Sequence, residues 1–446
     1  MSNRSVVVVG GGIAGIQASI DLANMGLQVY LVEQSPSIGG RMAQLDKTFP
    51  TNDCSMCILA PKMIECAGHE NVHLLTYSEL AGIDGEAGDF RVTVRRKPRY
   101  VDVSKCTGCG ECAEKCPRRV PDEFNVGLDK RKAIYLPFPQ AVPRKMTIDA
   151  GACLYLSKGR CRVCQETCQA GAIDFEQQEE VVELAAGAIV LATGFDPFDP
   201  RSLKEYGYGE IENVITGLEY ERLICASGPT GGHLERPSDG QVPEIIAFIQ
   251  CVGSRDVNYQ PYCSSVCCMH ATKEAILANE HYPDLKSVIF YTDMRAVGKQ
   301  FQEYIIRAKE EYGVSYLRSR PGKITVNGET GNPLVWYDET VYSEAGDPER
   351  RVASMEVNLV VLCQALVPHS VHEEMASKLG LELDGSGFVA VEDRLLRPVD
   401  TSVPGIFACG FCQEPQDIPD SVVQASAAAA RVAEILSLAS KELEHA

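Results

Sequence analysis

Cationic residues are scarce in this chain. Lys and Arg number 42 against 61 Asp and Glu, a formal charge of −19 over 446 residues. Affinity for nucleic acid rests largely on cations meeting phosphates, so the balance excludes a general nucleic-acid binder. Long apolar runs are also missing. No stretch approaches the roughly 18 apolar residues of a membrane span. The longest, Leu184–Ala192, fits a buried strand instead. The opening MSNRSVVVVGGG lacks the basic segment, apolar stretch and cleavage site of a secretory leader. The expectation is a soluble, cytoplasmic protein that reaches a membrane only through a partner. No repeat at solenoid periods is found. What remains is globular, 45% hydrophobic and 23% charged, and long enough for about three domains.

Cysteine is abundant, with 19 in the chain. In a long chain without a secretory leader, clustered Cys reads as metal or redox chemistry rather than a disulfide scaffold. Fifteen of them fall into three spaced groups. Cys225 and Cys363 stand alone, and Cys409 and Cys412 form a bare C-x2-C, which is a weak signal.

The amino terminus carries a dinucleotide signature. A β-branched strand, Ser5 to Val9, runs into Gly10-Gly11-Gly12-Ile13-Ala14-Gly15 and then a helical pattern through Met25. In this G-x-G-x-x-G, Gly10 permits the tight turn, Gly12 admits a pyrophosphate, and Gly15 lets the helix approach the strand. The helix N-terminus presents its N–H groups to phosphate. A second strand, Gln28 to Val32, ends at Glu33, placed to accept from ribose hydroxyls. The next residues, Ser37-Ile38-Gly39-Gly40-Arg41-Met42, resemble the segment after the acidic residue in two-dinucleotide-binding-domain flavoproteins, and favour FAD over NAD. Gly187 to Gly194 resembles the buried strand ending in Ala-Thr-Gly of that superfamily, with Thr193 and Gly194 at its end. Thr401 to Gly410 resembles its second FAD motif. There the superfamily often has Gly-Asp, the Asp binding the ribityl chain. Here Phe411 follows Gly410, and Asp417 or Asp420 is the substitute. Ser421 to Leu436 reads as an Ala-rich helix whose N-terminus faces the pyrimidine end of the flavin.

From Lys105 the pattern changes. Cys106-x2-Cys109-x2-Cys112-x3-Cys116-Pro117 is the bacterial ferredoxin run. Cys153, Cys161, Cys164 and Cys168 follow with spacing x7, x2, x3, a longer first gap than the usual x2. In the crossed ligation of such modules, Cys106, Cys109, Cys112 and Cys168 hold one [4Fe–4S] cluster, and Cys153, Cys161, Cys164 and Cys116 the other. FAD motifs lie on both sides, so this ferredoxin is an insertion, and its wire leads to or from the flavin.

A second nucleotide site is absent where one is due. The strand Glu244 to Ile249 is followed not by a glycine loop but by Gln250-Cys251-Val252-Gly253-Ser254-Arg255. Downstream, Cys263, Cys267 and Cys268 run into a helical stretch, Met269 to Asn279. Cys263 and Cys267 are i and i+4, on one face if the helix starts early enough. With Cys251 they make four thiolates near a helix N-terminus. Three readings are open: an unusual [4Fe–4S] site, a redox dithiol or vicinal disulfide, or buried structural thiols. A cluster here means electrons enter singly through iron, not as hydride. Lys273 is either a solvated helix residue or an ammonium stabilising a reduced flavin.

Cys54-Ser55-Met56-Cys57, with Cys66 nine residues later, echoes the redox-active pair of glutathione-reductase-like enzymes. It reads as a dithiol exchanging electrons with FAD, as part of another cluster with Cys66 and an unidentified fourth ligand, or as neither.

Together these features resemble the iron–sulfur flavoprotein of the heterodisulfide reductase family, its A subunit. The resemblance is carried by Thr48 to Cys57, the ferredoxin run with Pro137 to Val142, the Cys251/Cys263/Cys267/Cys268 set, and Gln416-Asp417-Ile418-Pro419-Asp420. It implies a thioredoxin-reductase-like α/β flavoprotein with an inserted α+β two-[4Fe–4S] ferredoxin. It also implies partners in a larger redox complex: B- and C-like heterodisulfide reductase subunits, hydrogenase or formate dehydrogenase modules, and ferredoxin. In that family the flavin can bifurcate electron pairs, and the lysine at the position of Lys273 lies close to the flavin. Longer members carry an extra N-terminal domain and a second ferredoxin. Here the glycine motif begins at Gly10 and nothing Cys-rich follows Cys412, so a short form is expected. The expected domains are 1–97 for the first FAD segment, 98–176 for the ferredoxin, and 177–200 for the FAD return. A second Rossmann-like domain is expected over 201–363 and the last FAD segment over 364–446. Within the second domain, Gly298 to Tyr312 reads as a helix and Lys323 to Tyr342 as a hairpin. Arg307, Lys309, Glu310 and Glu311 read as a solvated helix face.

Overall fold

The computed structural model describes residues 4–342 and 348–444. The fold is α/β, in two compact units. The first comprises Met1–Gln44, Met56–Phe195 and Pro368–Ala446, and the second Leu45–Ser55 and Asp196–Val367.

The first unit is built on a seven-stranded sheet. Its order is Val391–Asp393, Arg397–Thr401, Ile406–Ala408, Ala188–Leu191, Ser5–Val9, Gln28–Glu33 and Val72–Thr76. The strand Ser5–Val9 lies inside it, parallel to both neighbours. A central parallel strand is covered on both faces and reads as an unbroken apolar run, as Val6-Val7-Val8-Val9 does. Side chains alternate between faces. Val6 and Val8 pack with Ile16, Leu22 and Val432, whereas Val7 and Val9 pack with Phe90, Val92 and Leu184. Each valine withdrawn from water in this way contributes roughly 1.5–3 kcal/mol.

Gly187 divides the expected Leu184–Ala192 strand. Glu180–Ala186 pairs antiparallel in a separate three-stranded sheet, while Ala188–Leu191 joins the main one. The ferredoxin insert is anchored to the flavin-motif segment of the same unit. Ile38 N–H donates to Val142 O at 2.9 Å. The buried Arg99 donates to Pro36 O at 2.7 Å and to Thr76 Oγ1 at 2.6 Å.

The second unit has a five-stranded parallel sheet in the order Val214–Thr216, Leu359–Gln364, Ile245–Val252, Lys286–Tyr291, Ser315–Arg318. The expected hairpin forms from Lys323–Val326 and Pro333–Tyr342, and a third strand, Pro348–Glu356, extends it. The expected helix is Phe301–Glu310. Its charged face is solvated at Lys309, Glu310 and Glu311, but Arg307 is half-buried with its guanidinium 5.0 Å from the Tyr304 ring centre.

Leu45–Ser55, expected within the first FAD segment, clusters instead with the second unit. Asp46 N–H donates to Glu221 Oε2 at 2.9 Å, Tyr304 bonds Asn52, and Phe49 meets Phe301 edge-on at 5.5 Å. These contacts link residues some 175 to 252 positions apart, which no local pattern reveals.

Candidate functional site

The glycines of the first loop divide by what a side chain would meet. A Cβ on Gly15 would stand 1.8 Å from Gly10 O, and one on Gly10, where φ is +106°, 2.3 Å from Ala192 O. Gly12 has nothing within 4 Å. The first two are required by packing. The space over Gly12 is room for a ligand at the N-terminus of the helix Ile13–Asn24, which fits a dinucleotide pyrophosphate. A Cβ on Gly40 would fall 2.8 Å from Gly12 Cα, so the Ser37–Arg41 turn lies on the same loop. Glu33 is buried and oriented: one oxygen accepts from Gly11 N–H at 2.6 Å, the other from Ser35 N–H at 2.7 Å. Ser35 Oγ donates to that second oxygen as well, at 2.5 Å, and a carboxylate's roughly four lone-pair directions then leave one for a ribose hydroxyl. Arg41 is half-buried and donates to Gln44 at 3.1 Å, and Met42 is buried in the core.

The later motifs reach the same region of this unit. A Cβ on Gly410 would meet the Ala14 side chain at 2.8 Å and Ser421 at 3.8 Å. Gly410 N–H donates to Gln424 at 3.0 Å. Phe411 is buried, 4.2 Å from Phe195 between ring centres, and its side chain carries no polar atom. Asp417 Oδ1 accepts from Asp420 N–H at 2.9 Å, and Ser421 Oγ donates to Asp417 O at 2.8 Å. These bonds close the first turn of the helix Ile418–Glu444. Burial pushes the Asp417 carboxyl above its ordinary range. Thr193 Oγ1 is bonded to Nε2 of His372 at 2.8 Å, and Gly194 follows with φ +71°. The buried His372 was not anticipated, because its partner lies 179 residues away. Cys409 and Cys412 are core residues, the Cys412 thiol lying 3.3 Å from Leu191 O.

In the ferredoxin insert the cysteines gather in two adjoining neighbourhoods, around Cys112 and around Cys164. Burial, then the adjacent Cys106, Cys109, Cys164 and Cys168 sulfurs, push the Cys112 thiol up to about 12. Burial, then Cys153, Cys116 and Cys161, push Cys164 up to about 11. A cavity is lined by Cys116, Cys153, Cys161 and Cys164 together with Pro117 and Arg118. Thiols crowded and dried in this way resist ionising alone, and a bound iron cation reverses that cost. Cys168 is among the sulfurs near Cys112 and Cys116 among those near Cys164, the contacts the crossed scheme calls for, while Cys164 also lies near Cys112. Replacing Cys116 with alanine is therefore expected to alter the electron paramagnetic resonance signal of the cluster otherwise held by Cys153, Cys161 and Cys164. A Cys168→Ala variant is expected to perturb the other signal. The same signal changing in both variants would contradict the crossing.

The second unit brings Cys251, Cys263, Cys267 and Cys268 together. The strand Ile245–Val252 shifts register between Ile249 and Val252, and Cys251 there has φ +60°. A non-glycine residue in the left-handed region is a strained feature that re-aims a side chain out of the strand pattern. Fourteen residues separate this strand from the helix Cys267–His281, far more than a glycine-rich pyrophosphate turn. Gln250 Nε2 donates to Cys267 O at 3.2 Å and ties the two ends together. Hydrogen bonding from Cys267, with help from Arg255 against the burial cost, brings the Cys251 thiol down to about 7. Cys267 also lowers Cys268, and is itself pushed well up by lying between the two. Cys263 is half-buried beside Cys251 and Cys268 and lies in the loop. The helix begins only at Cys267, so Cys263 does not share its face as expected. Cys267 and Cys268 occupy the first helical turn, where partial positive charge favours an anionic centre. Four converging sulfurs of this kind suit an iron–sulfur cluster.

Cys54 and Cys57 are disulfide-bonded, and the other 17 cysteines are free. Cys66 does not join them. It is nine residues beyond Cys57 on the continuous helix Ser55–Gly68, about 13 Å along its axis at 1.5 Å per residue. It is fully buried among Leu59 and Met63, where burial pushes its thiol up to about 12. The expected Cys66 ligand is therefore a core residue.

Lys273 is not the solvated residue of the simpler reading. It is fully buried, ion-paired with Glu221, and its Nζ lies 3.5 Å from Lys47 O. Burial brings its ammonium down to about 8, with Glu274 and Asp46 opposing. His270 Nε2 stands 2.7 Å from Glu221 Oε1, and Nδ1 3.5 Å from Glu274. Glu221 and Glu274 are both fully buried. Lys273→Ala leaves two buried carboxylates without their ammonium and is expected to cost about 3–5 kcal/mol. A denaturant midpoint unchanged from wild type would contradict this.

By fold the chain is of the thioredoxin-reductase type, with ferredoxin-like cysteine runs inserted in it. Residues 5–56 match the FAD dependent oxidoreductase family, and residues 99–122 the 4Fe-4S binding domain family. Thioredoxin reductase from Lactococcus lactis superposes with a TM-score of 0.52 at 16% identity, covering 97% of this chain and 99% of that one. Thioredoxin reductase from T. acidophilum gives 0.51 at 15%, covering 96% and 98%. The chain belongs to the heterodisulfide reductase family of iron–sulfur A subunits. It is 52% identical over 97% of its length to the second iron-sulfur A subunit of CoB–CoM heterodisulfide reductase in Methanopyrus kandleri, covering 64% of that protein. It is 47% identical to the A subunit of H(2):CoB-CoM heterodisulfide,ferredoxin reductase of Methanothermobacter marburgensis, covering 96% of this chain and 63% of that one. To a protein of Archaeoglobus profundus that is like the heterodisulfide reductase A subunit it is 44% identical, covering 99% and 67%. The chain thus spans just under two thirds of the first two relatives. Among the described residues no helix is long and apolar enough to cross a membrane.

Proposed function

We propose that this chain is an electron-transfer subunit that passes electrons between ferredoxin-type clusters, a flavin and partner subunits of a heterodisulfide-reductase-like complex. The observation that carries this reading is the convergence of Cys251, Cys263, Cys267 and Cys268 where a nicotinamide enzyme has its pyrophosphate loop. Bound FAD supplies two-electron chemistry and iron–sulfur clusters one-electron chemistry, and a protein holding both converts between them. Gly10, Gly12, Gly15 and Glu33 hold the dinucleotide. The eight ferredoxin cysteines hold two clusters, and Cys251, Cys263, Cys267 and Cys268 a third. The relatives' names, as A subunits and ferredoxin reductases, support further subunits and ferredoxin as partners; B- and C-like subunits and bifurcation at the flavin belong to the same proposal. The test is iron, acid-labile sulfide and flavin per chain in anaerobically purified protein. About twelve iron or more per FAD is expected, and about eight would confine iron to the ferredoxin.

The disulfide at Cys54 and Cys57 favours a second role, a dithiol/disulfide couple working with FAD. In that reading Cys54→Ala leaves the iron content unchanged and abolishes turnover of a small disulfide. Loss of about four iron in this variant would assign the pair to a cluster instead.

A further inference from the structure

The inserted ferredoxin differs in charge from the chain that carries it. Residues 98–176 hold thirteen Lys and Arg against ten Asp and Glu, whereas the rest of the chain holds 29 against 51. The excess is concentrated at one of the two cysteine neighbourhoods. Arg118 and Arg119 follow Cys116-Pro117, and Arg118 lines the cavity shared by Cys116, Cys153, Cys161 and Cys164. The lengthened gap before Cys161 carries Lys158 and Arg160, and Arg162 comes directly after it. These five cations are all exposed. Lys132 joins them, its Nζ donating to Cys116 O at 2.6 Å. The stretches 116–120 and 153–165 contain no acid at all. The other neighbourhood is closer to balance: Lys105, Lys115, Arg144 and Lys145 stand with Asp102, Glu111 and Glu114, Lys105 paired to Asp102 at 3.1 Å and Lys145 Nζ donating to Cys106 O at 2.5 Å.

We propose that the basic rim around Cys116, Cys153, Cys161 and Cys164 is the docking surface for an acidic one-electron carrier protein. Opposite charge across an encounter face raises the association rate and fixes orientation. The strongly acidic remainder of the chain repels the same partner, so the rim is where an acidic protein is steered. A redox centre at the middle of the rim then faces the partner directly. The proposal rests on the electron-transfer reading and identifies which of the two ferredoxin neighbourhoods meets the carrier.

The test measures binding, not turnover. The dissociation constant of a small acidic two-[4Fe–4S] ferredoxin for the full chain is determined by anaerobic calorimetry at low and moderate ionic strength. In Arg119→Glu/Lys158→Glu/Arg160→Glu, affinity at low salt is expected to fall at least about tenfold and its salt dependence to flatten. Lys105→Glu/Lys115→Glu, at the other neighbourhood, is expected to bind within about twofold of wild type. The neutral triple variant to Gln is expected to fall between wild type and the charge reversal, and iron content checks that each variant keeps its clusters. Equal weakening by both charge-reversed variants, no weakening in the triple variant with iron intact, or no binding to wild type would overturn the proposal. So would tighter binding of a short single-stranded RNA. Reduction of the wild-type clusters by dithionite separates the two failures. Clusters that do not reduce defeat the electron-transfer reading, whereas reducible clusters with unaltered binding defeat the docking surface alone.

Discussion

Cys251→Ala is expected to remove about four iron per chain and leave about eight, with the two ferredoxin signals and the flavin retained. Cys251 is set apart from an ordinary buried cysteine by its geometry. It sits at a register shift near the end of a parallel strand, in a left-handed conformation that turns its thiol out of the ladder. There it meets Cys267 and Cys268 at the start of a helix, with Arg255 alongside. Holding a non-glycine residue in that conformation costs of order 1–3 kcal/mol and persists only where the surroundings enforce it. If these were structural thiols, alanine would be accommodated with no change in iron. An unchanged iron count in Cys251→Ala would therefore return the site to a dithiol or a plain core cluster.

Gly12→Asp is expected to abolish FAD retention while the polypeptide stays folded. A Cβ at this position meets no protein atom within 4 Å, so local packing does not require glycine there. The aspartate would place a negative charge where the loop presents its N–H groups to a pyrophosphate. A single like charge against phosphate at a binding site costs several kcal/mol, which corresponds to a loss of binding of more than about a hundredfold. Gly15→Ala is a contrasting case. Its Cβ would stand 1.8 Å from a backbone oxygen, so stability and FAD are expected to be lost together. The check is flavin per chain after gel filtration, alongside circular dichroism. A Gly12→Asp protein that retains FAD would place the pyrophosphate elsewhere.

Much of this arrangement is legible in the sequence because the chemistry is local. A strand, a glycine loop and an acid fall within 29 residues, from Ser5 to Glu33, and the ferredoxin cysteines declare themselves by spacing alone. The parts that escape depend on distant contacts or on single backbone torsions. Gly187 breaks one apolar run into strands of two different sheets. Leu45–Ser55 groups with the second unit through Asp46, Phe49 and Asn52, whose partners lie more than 170 residues away. Cys66 looked like a ligand by proximity in sequence, but helical rise carries it about 13 Å from Cys57 and into the core. The Glu221–His270–Lys273–Glu274 group was invisible except for its lysine. A buried carboxylate within an ordinary helical pattern reads as surface until its neighbours are known.

The central claim is that electrons reach the flavin through iron–sulfur clusters and not from a nicotinamide. Its most direct test is anaerobic stopped-flow reduction of the protein-bound flavin by two donors. Reduced ferredoxin is expected to bleach the oxidised flavin band, whereas NADH and NADPH at millimolar concentration leave it unchanged, since no glycine loop follows the strand Ile245–Val252 to hold their pyrophosphate. Rapid bleaching by NADPH, with no response to reduced ferredoxin, would contradict the account.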